Sequence, residues 1–98
     1  MDLDQLVSLL NQHQLRATYG AVAGVVGGSA IGLMEGHPAC HEDSWIVAAT
    51  TDGRSGSRRG WPTGYTDDQI HPECLRQIRE GPGGFTDDPG TLRERLGL

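Results

Sequence analysis

The sequence predicts a mainly α-helical domain with one small β-hairpin, and three observations lead there. Apolar residues recur at helical spacing in short segments. A single β-rich run, Ser44 to Thr51, closes on the turn dipeptide Asp52-Gly53. Glycine, at 15 of 98 residues, punctuates the chain between these segments. A chain of this length supports one core, so one domain is expected over residues 1–98. With 36% hydrophobic and 5% aromatic residues, that core is small and the loops are long or numerous.

The first helix is expected from about residue 3 to 13, with Asp2 as N-cap and Leu3, Leu6, Val7 and Leu10 on one face. Thr18 caps a second, through Tyr19, Val22, Ala23 and Val26, which Gly27-Gly28 stops. Ser29 caps a third, short helix with Ile31, Leu33 and Met34, ending before His37-Pro38. Two short helices joined by a glycine turn are a helix-turn-helix, whose second helix lies in the major groove. The run Ser44 to Thr51 is expected to enter a hairpin that serves as the wing, making the whole a winged helix-turn-helix-like domain. Gly, Ser, Arg and Pro dominate from Arg54 to Gly64 and predict a loop. A further helix is expected from about Pro72 to Arg79 with Cys74, Leu75 and Ile78 on one face, and Asp88-Pro89 starts a terminal helix with Leu92 and Leu96 turned inward.

Composition narrows the function. The longest nearly apolar stretch, Ala21 to Met34, is glycine-interrupted and too short to span a bilayer, and the acidic start Met1-Asp2-Leu3-Asp4 is unlike a secretory signal. A cytoplasmic protein is expected. Two cysteines, Cys40 and Cys74, make no disulfide framework and are expected as thiols. The net charge of −5 argues against nonspecific coating of nucleic acid. Distribution matters more than the sum: there is no lysine, and Arg54, Arg58 and Arg59 cluster in one short segment. That cluster, with Arg16, is the expected phosphate-facing feature.

The stretch Arg16-Ala17-Thr18-Tyr19-Gly20-Ala21-Val22-Ala23, followed by Gly27, resembles the signature that opens the DNA-binding helix-turn-helix of alkylguanine-DNA alkyltransferases and alkyltransferase-like proteins. Ile31-Gly32 is similar to the Val-Gly of the family's recognition helix, and Trp45 stands at the position of its reactive cysteine. The resemblance runs from about Arg16 to Gly53, with a looser echo at Gly64-Tyr65. It implies a non-enzymatic protein of the alkyltransferase-like branch, with no cofactor, that binds duplex DNA and senses alkylated or flipped bases in DNA repair. On this reading Thr18, Tyr19, Ser29, Ala30, Arg54, Arg58 and Arg59 contact DNA, while Tyr19 and Trp45 form a base pocket. The position of the family's base-wedging arginine is Ser29 here, which favours generic duplex binding or a repurposed surface.

Other readings stand beside this one. Tyr19 and Trp45 are equally at home in a core, Trp45 slightly more so. A register that places the acceptor at Cys40 with His41 as its base gives an active alkyltransferase, although Glu42 and Asp43 disfavour the thiolate. Cys40, His41, His71 and Cys74 are residue types that zinc accepts, at a spacing unusual for it. The acidic pairs Glu42-Asp43, Asp67-Asp68 and Asp87-Asp88 are expected to cap helices. A protein-interaction module on the same scaffold, without DNA contact, is the principal rival, supported by the acidic balance.

Overall fold

The computed structural model describes residues 1–28, 39–54 and 56–98. Among these, four α-helices, α1 Leu3–His13, α2 Tyr19–Val26, α3 Pro72–Glu80 and α4 Pro89–Leu96, surround a two-stranded sheet of β1 Ala17–Thr18 and β2 Ile46–Val47. The helix expected from Ser29 lies outside the described residues. None of the helices seen is long and apolar enough to cross a membrane.

Each helix begins where a side chain can satisfy the amides that its first turn leaves open. In α1, Asp2 Oδ1 accepts from the Gln5 N–H at 2.8 Å while the Gln5 side chain accepts from the Asp2 N–H at 3.0 Å, a reciprocal capping box. Thr18 Oγ1 accepts from the Ala21 N–H at 3.2 Å to start α2. Asp88 does the same for α4, accepting from Thr91 at 2.9 Å. α3 is started by an imidazole: His71 Nδ1 accepts from the Glu73 N–H at 3.1 Å, and Pro72 supplies the fixed φ of the first helical residue. α2 stops at Gly27, whose φ of 81° is closed to most side chains.

The sheet differs from the expected hairpin. The β-rich run opens as a 3₁₀ helix over Glu42–Trp45, and only Ile46 and Val47 pair, in parallel, opposite Ala17 and Thr18. The reason lies in tertiary pairing: all four paired residues are buried, so the run serves as an interior strand against a distant segment. Beyond it the chain turns back once, where Asp52 and Ser57 exchange both backbone hydrogen bonds at 2.9 and 3.0 Å. β1 also bonds the C-terminal segment, through Thr18 N–H to Thr86 O at 3.0 Å and Thr86 N–H to Arg16 O at 2.9 Å.

Leu6 and Leu10 of α1, Val22 of α2, Ile78 of α3 and Leu92 of α4 meet around Trp45, Ile46 and Ile70, all at most 2% exposed. Burying each such side chain contributes about 1.5–3 kcal/mol. α2 and α4 approach closely because Gly24 has no side chain: a Cβ there would sit 2.3 Å from Pro89 Cγ.

Candidate functional site

The residues expected to touch DNA divide sharply by burial. Thr18 is 1% exposed, and besides capping α2 its hydroxyl donates to Asp87 Oδ1 at 2.7 Å. Trp45 has no exposed surface; its Nε1–H donates to Asn11 Oδ1 at 2.9 Å, which satisfies the one polar atom of the indole inside the core. It is core here and lines no open pocket. Tyr19 is half-buried, and its hydroxyl oxygen accepts from the Thr63 N–H at 3.2 Å. Ser29 and Ala30 lie outside the described residues.

Arg16 is not phosphate-facing. It is 1% exposed and donates to the carbonyls of Gly60 at 3.2 Å, Pro82 at 3.1 Å and Gly81 at 2.7 Å. A guanidinium can do this because its donors spread in a fixed plane and the charge is weakly hydrated. Burial still pulls its pKa below the ordinary arginine value.

Arg54, Arg58 and Arg59 are exposed. The ion pairs among the described residues join Arg76 to Glu73 and Glu80, and Arg79 to Asp67. The three loop arginines take part in none of them. Arg58 instead lies over the indole of Trp61, its Cζ 3.8 Å from the ring centroid, and Arg59 approaches Phe85 at 5.0 Å. Beside the Arg58–Trp61 pair opens a pocket of about 280 Å³, walled also by Pro62, Tyr65 and Asp67 and by the backbone of Gly56 and Gly64. Burial, and after it the Asp43 carboxylate, raises the Tyr65 phenol to about 12, so this wall stays neutral at physiological pH.

The pocket loop is held by residues that flank the two strands, Arg16 and Tyr19 beside β1 and Ala48 after β2. Arg16 fixes Gly60, Tyr19 fixes Thr63, and Ala48 brackets the loop by donating to Trp61 O at 3.0 Å and accepting from the Gly60 N–H at 2.9 Å. Gly60 is required where it stands: its φ is 84°, and a Cβ would fall 2.1 Å from the Pro82 carbonyl oxygen.

The sulfur and imidazole groups are engaged elsewhere. Cys74 is wholly buried, its thiol donates to Ser44 O at 3.4 Å, and burial lifts its pKa to about 11. Burial also pushes the Cys40 thiol above its ordinary value, so neither thiol is poised as a nucleophilic thiolate at neutral pH. His41 and His71 approach edge to face with centroids 6.0 Å apart, but His71 Nδ1 caps α3 and His41 Nε2 lies 3.0 Å from Asp68 O. Among the described residues no three His, Cys, Asp or Glu side chains are grouped to hold a metal ion.

Trp61 is the functional candidate that sequence reading passed over. Its signal was present: an indole within a Gly/Arg/Pro-rich loop, next to two arginines, where no apolar periodicity calls for a core residue. No family model matches the chain, and neither the curated proteins nor the solved structures give a match.

Proposed function

We propose that the chain is a non-enzymatic nucleic-acid-binding module, winged-helix-like in architecture, whose contact face is the loop from Arg54 to Tyr65. The observation that carries this is the Arg58 guanidinium over Trp61, its Cζ 3.8 Å from the ring centroid, on an exposed loop that also presents Arg54 and Arg59. Phosphate affinity depends on local cations, and an aromatic face beside them adds base stacking. The net charge of −5 opposes the approach of a polyanion, so binding is modest, and its salt dependence is set by the few phosphates that the loop arginines neutralise. The resemblance of the Thr18 to Gly27 stretch to alkyltransferase-like proteins supports DNA as the nucleic acid. Lesion sensing through Trp45 is not part of the proposal, because the indole is inside the core.

The test is fluorescence anisotropy of labelled DNA, single- and double-stranded, at several salt concentrations. Binding weakens with salt, and Arg58→Ala and Arg59→Ala each lower the slope of log affinity against log salt by about 1. Absence of binding at low salt sinks the proposal. One observation favours a second reading: Arg, Trp and Tyr grouped at one pocket are also the residue types of protein-interface hot spots. Under that reading the same variants change no DNA affinity, and a protein partner is the ligand.

A further inference from the structure

We infer that the pocket beside Trp61 receives one unpaired nucleobase, so that the ligand of this face is a single strand, with preference for bases that carry an exocyclic amine. The inference rests on the nucleic-acid reading above and names its ligand class.

Size comes first. At about 280 Å³, the pocket falls at the lower edge of small-molecule sites, which run from about 300 Å³ upward, and suits one planar ring system. Trp61, Arg58 and Tyr65, three side chains with planar groups, line it, and the Arg58 Cζ lies over the Trp61 ring. Such faces are useful only to a base that has left its stack, since a base within a duplex presents edges to the grooves and its faces to its neighbours.

The pocket's one carboxylate argues in the same direction. Asp67 offsets the Arg58 charge in the lining, which suits the pocket to a neutral base and leaves phosphate contacts to Arg54 and Arg59, outside the lining. Arg79 contacts Asp67 Oδ2 at 3.2 Å. The carboxylate has further lone pairs that accept from an exocyclic amine, which cytosine has and thymine lacks. The site is also organised before any ligand arrives, because Tyr19 and Arg16 pin Thr63 and Gly60 on either side of Trp61.

The experiment uses the full chain with fluorescein-labelled oligodeoxycytidine and oligodeoxythymidine of about twelve nucleotides, and a duplex of equal length. Anisotropy reports affinity, and unlabelled strands report tryptophan emission. Single-stranded oligodeoxycytidine should bind at least about tenfold tighter than the duplex, the factor that stacking of one base supplies. It should quench emission in the parent protein and leave Trp61→Phe, which retains only the buried Trp45, unquenched. The cytosine preference over thymine should disappear in Asp67→Ala, which has no side-chain acceptor. Equal, salt-dependent binding of single strand and duplex without quenching overturns the base pocket while leaving the nucleic-acid module standing. Failure of all the oligonucleotides to bind at low salt overturns both.

Discussion

The Arg16 guanidinium donates to the carbonyl oxygen of Gly60 at 3.2 Å, across 44 positions of sequence, and the same group reaches Gly81 and Pro82 on a second loop. A buried cation is thus held by backbone dipoles alone among these contacts, with its Nε unpartnered. Arg16→Met keeps much of the stem's packing but strands three carbonyls. Net hydrogen bonds to a charged group are worth about 1.5–3 kcal/mol each and are not additive, so a loss of about 3–5 kcal/mol is expected. Urea denaturation measures it; a loss under about 1 kcal/mol would show that the clamp is dispensable.

Gly60 and Gly64 have nearly the same dihedral, φ of 84° and 80°, but different surroundings. Alanine at Gly60 meets the Pro82 carbonyl oxygen at 2.1 Å, whereas alanine at Gly64 finds nothing within 4 Å. Gly64→Ala should cost only the left-handed backbone penalty, about 1–2 kcal/mol. Gly60→Ala adds a clash that must separate the two loops, and should cost clearly more. Comparing the two melting temperatures tests whether the approach of the loops, and not the dihedral alone, selects the glycine.

Trp45 and Asn11 join α1 to the start of β2. Trp45→Phe removes the donor and part of the ring, leaving the Asn11 oxygen unpaired beside a small cavity, at a cost of about 2–3 kcal/mol. Oligonucleotide affinity of the folded fraction should not change, in contrast to Trp61→Ala. A selective loss of binding in Trp45→Phe would restore Trp45 as a ligand-contacting residue.

Alkaline stability follows from Cys74. Its thiol ionises near the ordinary value of 9.0 in the unfolded chain and near 11 when folded. The unfolded state therefore releases its proton first as pH rises, which favours unfolding. The contribution is fully present below about pH 9 and lost on the way to 11, and a shift of this size corresponds to about 3 kcal/mol. Tyr65 acts with the same sign at higher pH, since its phenol is raised from 10.0 to about 12. Cys74→Ala should be less stable overall but flatter in denaturation midpoint between pH 8.5 and 10.5; an unchanged slope contradicts the assignment.

What was legible in the sequence is local. Asp2, Thr18, Pro72 and Asp88 announced helix starts that a side chain within three residues, or a fixed φ, brings about, and the spacing of Leu92 and Leu96 marked a buried face. What was not legible depends on distant segments. Nothing near Arg16 reveals that Gly60, Gly81 and Pro82 converge on it, so a buried clamp reads as a surface cation. Likewise a run from Ser44 to Thr51 followed by Asp-Gly reads as a hairpin arm, because its parallel partner lies near Ala17. For the site, the arginine cluster was visible as composition, while its pairing with Trp61 and the role of Tyr19 as an anchor required the folded loop.

Ligand binding at the Arg54 to Tyr65 loop is open to amide chemical-shift mapping of the ¹⁵N-labelled chain with a short oligodeoxycytidine. Perturbations should concentrate on Arg58, Arg59, Trp61, Thr63 and Tyr65 and on the Trp61 indole N–H, with the Trp45 indole N–H unmoved. Perturbations confined to other surfaces, or none at low salt, would contradict it.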